Sequence, residues 1–427
     1  MRLGQRGKRH VWTPLTSVLH QGGKTIENRM RDPRTKLKLV DSDLVERDNL
    51  LRVWAKQLAT DPSYNRHLSL FLPFDVEQTI VVDWQPRRKD RPRILACPLT
   101  SGAGQYRVVE PLDMLQDASL AQTCAIIPHK RKESRVLHPL ELVRAAPDRL
   151  ILQHSVDDGQ LGMIEKYRMA MPGIPIVQMV DDLLGEVPEK HPNRNYQVRE
   201  GHQRMIQALK QSNRLVVTTE TLKEYYRKYV PDVWLVPNCL DQKWADLRLP
   251  KAPRSRLRVG WIGAGQHKGD LDLISKVVKE LAAEVDWVFM GMCTEDIKPH
   301  IKEYHGFVPI AEYPRKMASL DLDIAIAPLE QNFFNDCKSN LRLLEYGSMG
   351  WPVVCSDVYP YRTQNPPVIR CTDDAGEWVA AIRKLVADDA LRVSMGDQLY
   401  QWVQSNFLLK DKSTDWMRAI FEETTPI

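Results

Sequence analysis

Three charged residues with helical spacing, Lys338, Arg342 and Glu345, form the group in this sequence that is best suited to chemistry. Spacings of four and then three residues place all three on one face of a helix. Two cations beside one carboxylate could hold a diphosphate together with a sugar hydroxyl, because the cations attract phosphate oxygens and the carboxylate accepts hydrogen bonds from hydroxyls. The same spacing fits a solvated helix with an ordinary ion pair, and spacing alone leaves both interpretations open.

The surrounding residues predict how this helix is positioned. The polar run 335–340 offers several N-cap residues, and the apolar side of the helix is formed by Leu341, Leu344 and Met349. Gly350 then ends the helix before a short apolar strand. Free N–H groups and partial positive charge at the beginning of such a helix favour phosphate binding.

The string that runs from Lys338 to the strand after Gly350 resembles the donor-site helix of GT-B glycosyltransferases. It is most similar to the large retaining family that includes many polysaccharide-building enzymes. The resemblance implies that Glu345 hydrogen-bonds the ribose of a nucleotide sugar. It also implies that Lys338, Ser339 and Arg342 lie beside the donor phosphates.

One position departs from the family pattern. The family often carries a second glutamate eight residues before the first, where it contacts the donor sugar. This sequence has Cys337 at that position, preceded by Asp336. The identity of the transferred sugar, and the contact that holds it, therefore stay open.

A second candidate donor segment follows the predicted strand 257–262. Gly263 and Gly265 would let the backbone approach a pyrophosphate closely, and Lys268 could neutralise it. Lys268 and the glycine after it resemble the phosphate-binding pair of the family, and His267 matches a histidine found in one of its subgroups. The alternative is a surface turn with incidental charges.

On the acceptor side, the predicted strand 94–97 leads into a turn that contains Gly102 and Gly104, followed by Tyr106 and Arg107. A glycine-bearing turn between a strand and a helix suits a loop that a ligand approaches closely. The turn is not a GxGxxG motif, so the pattern alone is weak evidence. In related glycosyltransferases the first strand also enters a glycine-rich loop at the interdomain cleft.

Acidic residues provide candidates for the catalytic group, but no base can be assigned. Asp181 and Asp182 follow a predicted strand at its C-terminal end, where ligands bind in open α/β sheets. They could contact the acceptor, act as a base, or only fix the loop. Asp336 is the third candidate.

The run Asp321-Leu322-Asp323 has the form of a metal-binding DxD motif, but it precedes a buried strand instead of following one. Ligands bind at the opposite end of parallel strands, so a structural role is expected. Since cations and a helix dipole can stabilise a departing diphosphate, we expect no metal and no cofactor besides the nucleotide-sugar co-substrate.

Composition and length set the outer bounds. The 427 residues are 43% hydrophobic and 27% charged, as in a globular protein with two substantial cores. No run of 18 apolar residues predicts a membrane span, and the first residues lack the apolar core of a signal peptide. Seven scattered cysteines predict free thiols in a reducing cytoplasm.

The order of predicted elements indicates an α/β fold of the GT-B type, with two Rossmann-like domains facing across a cleft. Strand-like runs alternate with helical stretches, which favours parallel sheets covered on both faces. We expect a basic arm and extension at 1–92, an acceptor domain at 93–248, a nucleotide-sugar domain at 249–410, and a tail helix at 411–427 that could cross back to the first domain.

The arm is strongly basic, with ten Lys and Arg residues against two acidic residues before residue 40. It could be a flexible arm, or it could seek phosphates or a membrane surface. After it, Asp43 and Glu46 have the spacing of a capping box and predict the start of a helix.

The sequence therefore predicts an enzyme that moves a sugar from a nucleotide sugar to a hydroxyl, with retention. A surface glycan or a lipid-linked sugar is the expected acceptor, with the enzyme in the cytoplasm or at the inner membrane face. One alternative is a phage-type enzyme in an infected cell that glycosylates hydroxymethylated DNA bases and tracks phosphates with the basic arm. Another is an inactive homologue that only binds nucleotide sugars.

Overall fold

The computed structural model of the chain describes residues 33–70, 72, 74–77, 80, 82–126, 137–190, 194–196, 200–250 and 253–422. Most of the basic arm, and with it the DNA hypothesis, lies outside these residues. The described residues divide into two compact units. One unit contains both β-sheets, and the other combines described residues of Met1–Asp83, Pro128–Asp148 and Gly159–Ile174.

The N-terminal half of the chain, residues 93–248, carries a parallel six-stranded sheet. Its strand order is β2-β1-β3-β4-β5-β6. The strands are β1 Arg93–Cys97, β2 Gln122–Ala125, β3 Arg149–Gln153, β4 Ile176–Val180, β5 Arg214–Val217 and β6 Val233–Leu235. The chain runs β1 to β2 outward, then crosses back over β1 to β3, which makes the loop after β1 a switch point of the kind that binds ligands.

The C-terminal half, residues 249–422, repeats this design with the order β12-β11-β10-β7-β8-β9. Its strands are β7 Arg258–Gly263, β8 Asp286–Gly291, β9 Glu303–His305, β10 Ile324–Ala327, β11 Val353–Ser356 and β12 Ile369–Cys371. Each neighbouring pair of these strands is parallel. The predicted α/β class with two Rossmann-like sheets is therefore confirmed.

Local sequence explains most of these strands. Every residue of β4 and β10 is buried, which matches the continuous apolar runs expected of parallel strands covered on both faces. The edge strands β9 and β12 were not predicted, because they are only three residues long and contain charged residues. Pairing with a neighbouring strand, and not an apolar run, defines them.

Helices connect the strands in both halves. In chain order they are α1 Pro33–Ala59, α2 Gly102–Gly104, a π-helix Gln105–Val109, α3 Glu110–Asp117, α4 Pro139–Ala145, α5 Asp158–Ala170, α6 Arg194–Tyr196, α7 His202–Lys210, α8 Glu220–Tyr226, α9 Lys268–Leu273, α10 Ser275–Leu281, α11 Tyr313–Ser319, α12 Phe333–Asp336, α13 Leu341–Ser348, α14 Tyr359–Arg362, α15 Ala375–Ala387, α16 Asp389–Asn406 and α17 Ser413–Phe421. Among these described helices, none combines the length and apolarity required to cross a bilayer.

The helix expected to begin at the capping box of Asp43 begins ten residues earlier. Helix α1 starts at Pro33, a residue whose fixed φ suits the first turn of a helix. Asp43 therefore lies inside the helix. Later in α1, Leu51 and Trp54 are buried. Arg144 of α4 donates a hydrogen bond of 3.0 Å to the carbonyl of Ala59 at the end of α1.

The tail helix α17 packs on the N-terminal half. The indole of Trp416 lies under the Arg107 guanidinium, 4.9 Å from its central carbon. Arg214 donates a 3.0 Å hydrogen bond to the carbonyl of Ala419, and Arg149 donates one of 3.3 Å to the carbonyl of Ile420. The exact domain boundaries stay a prediction, but the last helix contacts the sheet that is farthest from it in sequence.

The DxD run lies at the amino end of β10. The Asp323 carboxylate accepts a 2.8 Å hydrogen bond from the backbone N–H of Arg258, and Asp321 forms an ion pair with Arg254. Leu322 between them is fully buried. This end of the sheet is opposite the carboxyl ends of β7 and β10, where a ligand of a parallel sheet binds.

We expect Asp323→Ala to lower the free energy of unfolding by about 1–3 kcal/mol, because the partly buried Arg258 N–H loses its acceptor. Urea unfolding measures this change. Asp296→Ala, which removes an exposed partner of Lys279, is the control and should change stability by less than about 0.5 kcal/mol. If Asp323→Ala leaves the unfolding curve unchanged but abolishes metal binding, Asp321 and Asp323 form a metal site and the structural interpretation is wrong.

Candidate functional site

The carboxylate of Glu345 lies at the centre of the candidate site. It projects from α13 and is only 4% exposed. The Tyr106 hydroxyl donates a 2.7 Å hydrogen bond to its Oε1, and the Tyr313 hydroxyl donates one of 3.2 Å to its Oε2. Arg342 Nη1 lies 3.6 Å from the same Oε2. The carboxylate is therefore held by residues from both halves of the chain.

Burial controls the titration of this group. Burial raises the pKa of Glu345, whereas the charge of Arg342 and the two tyrosine hydrogen bonds act in the opposite direction. Burial and the nearby Glu345 charge also raise the pKa of Tyr106 well above its ordinary value. Tyr106 thus stays a hydrogen-bond donor at neutral pH.

The helix that was predicted to carry Lys338, Arg342 and Glu345 on one face is interrupted, and that prediction is wrong for Lys338. A short helix, α12, is capped by Asn332 and ends at Asp336, and α13 begins only at Leu341. Lys338 lies between the two helices. Its ammonium group is 3.1 Å from Oδ1 of Asp182, in the loop after β4.

Hydrogen bonds with the N-terminal half fix this segment between the two helices. The contacts are Thr219 Oγ1 to the Cys337 carbonyl at 2.9 Å, Lys338 Nζ to Asp182 Oδ1 at 3.1 Å, and Asn238 Nδ2 to Ser339 Oγ at 2.7 Å. Cys337 is fully buried, and burial raises the pKa of its thiol to about 12. We define residues 337–340 as the inter-helix segment.

The second predicted donor segment also folds at a strand end. Gly263 ends β7, and Lys268 is exposed at the beginning of α9. Gly265 begins a 3₁₀ turn, and a Cβ atom added to it would have no neighbour within 4 Å. His267 Nδ1 lies 2.7 Å from Oδ2 of the next acidic residue, Asp270.

Asp270 organises the loops around it, although sequence analysis did not identify it. It is 5% exposed, and its Oδ1 accepts a 2.8 Å hydrogen bond from the backbone N–H of Glu330. Asn335 Nδ2 is 3.5 Å from the same oxygen. A narrow cleft at this edge of the sheet is lined by Gln266, Gly269, Asp270, Glu330, Asn335 and Lys338.

The predicted acceptor-side residues have unequal surroundings. A Cβ atom on Gly104 would lie 1.8 Å from the carbonyl oxygen of Leu99, so this turn requires glycine. A Cβ on Gly102 would make an ordinary 3.5 Å contact with Ile310 of the C-terminal half. Tyr106 and Arg107 lie in a π-helical turn, a feature often found at functional sites.

Arg107 faces protein groups. It is 1% exposed, and its Nη1 donates a 3.2 Å hydrogen bond to Oδ1 of Asn238. Burial lowers the pKa of Arg107 to about 10, against the opposing charge of Asp181. Within the described part of the chain, its Nε and Nη2 have no hydrogen-bond partner.

His154, which the sequence analysis did not identify, pairs with the predicted catalytic candidate Asp181. His154 directly follows the buried strand β3, and its Nε2 is 2.7 Å from Oδ1 of Asp181. Its backbone φ is +46°, which is unusual for a residue other than glycine. A polar residue at the carboxyl end of a buried parallel strand was the available signal.

Opposing effects decide the charge of this pair. Burial disfavours imidazolium, but the hydrogen bond and the charges of Asp181 and Asp182 outweigh it and raise the pKa of His154. Burial also works against the Asp181 carboxylate, but His154, Arg107 and Lys338 lower its pKa. The pair is therefore an ionised one at mildly acidic pH.

Of the three predicted catalytic carboxylates, two have partners in the structure. Asp181 is held by His154 and Asp182 by Lys338, whereas Asp336 ends α12 and is partly exposed. Among the described side chains, no group of three or more His, Cys, Asp or Glu residues is arranged to hold a metal ion. In the structure, none of the seven cysteines is joined to another by a disulfide bond.

Comparison with known proteins supports the fold. No protein-family model and no curated protein sequence matches the chain. Several solved structures do. Sucrose-phosphate synthase from Thermosynechococcus elongatus is 13% identical, with a TM-score of 0.58, over 77% of this chain and 98% of that one.

Two further structures are similar to the same extent. A glycosyltransferase from Rickettsia africae is 12% identical over 79% of this chain and 100% of that one, with a TM-score of 0.54. Anabaena HepE in complex with UDP-glucose is 11% identical over 77% and 100%, with a TM-score of 0.55. The chain thus has the GT-B fold that these glycosyltransferases share, and identities this low establish the fold alone.

We expect His154→Asn to destabilise the protein by about 1.5–3 kcal/mol, the range for a hydrogen bond to a charged group. Asparagine tolerates the positive φ, so the change reports the lost ion pair. Because the pKa of His154 is raised in the folded protein, its ion pair contributes its full stability below pH 6.5, the ordinary pKa of histidine. This contribution is lost as the pH rises through the pKa of His154 in the folded protein. A lowered Asp181 pKa stabilises above 3.8 and is lost as pH falls through the folded value.

The stability difference between the wild type and His154→Asn should therefore be largest between pH 3.8 and 6.5 and shrink above that window. Urea unfolding at a series of pH values measures it. His300→Asn, in the turn Lys298–His300, is the control for loss of a histidine outside the site. A difference that does not vary with pH would show that the pair is not ionised.

Proposed function

We propose that this chain is a glycosyltransferase that moves a sugar from a nucleotide-sugar donor to a hydroxyl acceptor, with retention of configuration. The observation that carries this proposal is the buried Glu345 carboxylate beside Arg342 and the inter-helix segment, at the carboxyl edge of the second sheet. The N-terminal half faces it through Tyr106. The fold shared with HepE, whose structure contains UDP-glucose, supports the choice of donor class.

In this proposal the donor lies along the edge formed by β7 and β10. Lys338 and Arg342 attract the diphosphate, with His267 and Lys268 on the opposite loop. Glu345 accepts hydrogen bonds from the ribose hydroxyls. The sugar then extends toward the inter-helix segment, where Cys337 replaces the glutamate of the resembling family.

Fixed positive charge drives the chemistry that we propose. As the sugar leaves, negative charge grows on the diphosphate, and cations already in position stabilise it without reorganising. We therefore propose a reaction that needs no metal ion. No side chain is assigned as the base, because His154 holds Asp181 and Lys338 holds Asp182. The departing diphosphate accepts the proton of the attacking hydroxyl.

The acceptor enters from the N-terminal half in this proposal. The turn at Gly102 and Gly104 brings backbone close to the cleft, and His154 lies at the end of the adjacent strand β3. A hydroxyl of a surface glycan or of a lipid-linked sugar is the acceptor that we propose. The DNA alternative depends on the basic arm and stays a prediction from sequence.

Calorimetry with a panel of nucleotide sugars tests the proposal, with Glu345→Gln as the variant. Loss of one charge-assisted hydrogen bond should weaken binding of the best donor by about 1.5–3 kcal/mol. Glu284→Gln, which changes an exposed carboxylate paired with Arg383, is the control and should bind as the wild type does. Unchanged affinity in Glu345→Gln would remove the ribose assignment.

Release of nucleoside diphosphate from the best-binding donor distinguishes an enzyme from an inactive binding protein. If no nucleotide sugar in the panel binds the wild type, the proposal as a whole fails. Binding without any release, with or without glycan acceptors, would instead support the inactive homologue. Addition of EDTA tests the metal independence, and activity that a chelator abolishes and a divalent metal restores would contradict it.

We further propose that a ribose hydroxyl replaces the Tyr106 hydroxyl at Oε1 of Glu345, because this carboxylate is only 4% exposed. We therefore expect Tyr106→Phe to bind the donor more tightly, by about 0.5–1.5 kcal/mol or roughly 2- to 10-fold, because the free carboxylate loses a competing partner. Calorimetry with the best donor measures this. Tyr313→Phe removes the other tyrosine hydroxyl on Glu345, within the same half, and is the matched comparison.

If the ribose displaces Tyr106 alone, Tyr313→Phe should not tighten binding. Equal effects of the two variants would mean that the donor does not discriminate between the two hydroxyls. Weaker binding by Tyr106→Phe would show that this hydroxyl contacts the donor directly.

A further inference from the structure

His267 pairs with one carboxylate and lies within electrostatic reach of two cations, at the edge where the diphosphate is proposed to bind. Its Nδ1 is 2.7 Å from Oδ2 of Asp270. Lys338 and Arg342 both act on it electrostatically from the opposite loop and helix. Its side chain is 16% exposed, so water is largely but not wholly removed from the ring.

The orientation of the imidazole is fixed by a chain of contacts. Asp270 uses Oδ2 for His267 and Oδ1 for the backbone N–H of Glu330, at 2.8 Å. The edge of the Trp261 ring system packs against the imidazole at 6.1 Å between centroids, nearly perpendicular to it. Nδ1 is thus committed to Asp270. In the described part of the chain, Nε2 forms no hydrogen bond.

The groups that face His267 decide its charge in the unliganded chain. Burial lowers the pKa of His267, and the charges of Lys338 and Arg342 lower it further. Asp270 acts in the opposite direction, through its hydrogen bond and its charge. Glu330, on the loop after β10, is a further charged group at this edge, and its carboxylate lies close to the backbone of Gly269. The sum leaves the imidazole neutral near pH 7, with its proton on Nδ1 and a free lone pair on Nε2.

We propose that His267 is a conditional cation of the donor site, which takes up a proton at Nε2 when a diphosphate binds, and that Asp270 is the positioning residue that holds it for this purpose. This inference rests on the proposed function, because it assigns the diphosphate to the edge that carries Lys338 and Arg342. The proton comes from hydronium or from the protonated buffer, whose own bond to it breaks as the Nε2–H bond forms, and no other covalent bond changes.

Electrostatics supplies the reason for uptake. Burial and the charges of Lys338 and Arg342 lower the pKa of His267, and the two negative charges of a nucleotide-sugar diphosphate offset those two cations. The new Nε2–H can then donate to a phosphate oxygen, while Nδ1–H remains on Asp270. Without the ligand, His267 therefore adds no charge beside Lys338 and Arg342, and its charge appears only when the diphosphate binds. It then also stabilises the charge that grows as the sugar leaves.

Calorimetry in buffers of different ionisation enthalpy detects this proton. The diphosphate diester of a nucleotide sugar does not titrate near neutral pH, so any proton exchanged belongs to the protein. With the wild type, the apparent binding enthalpy should vary with buffer ionisation enthalpy in the direction of uptake, by a fraction of a proton that grows as pH falls toward 6.5, the ordinary value for histidine. His267→Gln should abolish the dependence.

Variants separate positioning from general structure. Asp270→Asn removes a group that favours imidazolium, so its uptake should be smaller at the same pH and shift to lower pH. Asp270→Glu should restore part of it. His300→Gln, in the same half of the chain, is the control and should keep the wild-type dependence.

The outcomes keep the two claims apart. If no nucleotide sugar binds, the proposed function fails and the inference fails with it. If the donor binds with no buffer dependence in the wild type, or with undiminished dependence in His267→Gln, only the inference is overturned. Should His267→Gln fail to fold, nitrogen NMR of the wild-type histidines decides. If adding the donor does not protonate a ring nitrogen of His267, the proposal is wrong.

Discussion

The structure of the site depends on one buried carboxylate. Glu345 is 4% exposed, and a carboxylate removed from water must find hydrogen-bond donors or a countercharge. It finds Tyr106 in the N-terminal half and Tyr313 and Arg342 in the C-terminal half. These partners position three separate pieces of chain around a single charge, and the turn after β1 is thereby held against helix α13.

The inter-helix segment has the same dependence on both halves. Thr219 and Asn238 donate hydrogen bonds to this segment, and Asp182 accepts one from Lys338. Lys338 is thus placed toward the first sheet, and Arg342 stays beside Glu345. The two cations that sequence spacing put together serve two different neighbours.

Two histidine–aspartate pairs illustrate how surroundings decide charge. His154–Asp181 and His267–Asp270 have the same 2.7 Å separation, and both are mostly buried. The pKa of His154 is raised, because the hydrogen bond and charge of Asp181, joined by the charge of Asp182, outweigh burial. The pKa of His267 is lowered, because burial is joined by Lys338 and Arg342. One pair is therefore ionised at mildly acidic pH while the other is neutral, although the sequence distinguishes them only by position.

The sequence by itself determined the α/β class, most of the strands, and the identity of the charged residues around Glu345. Apolar runs such as β4 and turn residues such as Gly104 act locally, so they can be recognised without knowing the fold. Only the tertiary structure decided that the helix breaks before Leu341, that Asp270 and Tyr313 belong to the site, and that His154 meets Asp181. The partners concerned lie far apart in the chain: Tyr106 and Glu345 are 239 residues apart. Hydrogen bonds and charge effects act through space, so their strength and sign depend on distances and burial that exist only once both sheets have formed.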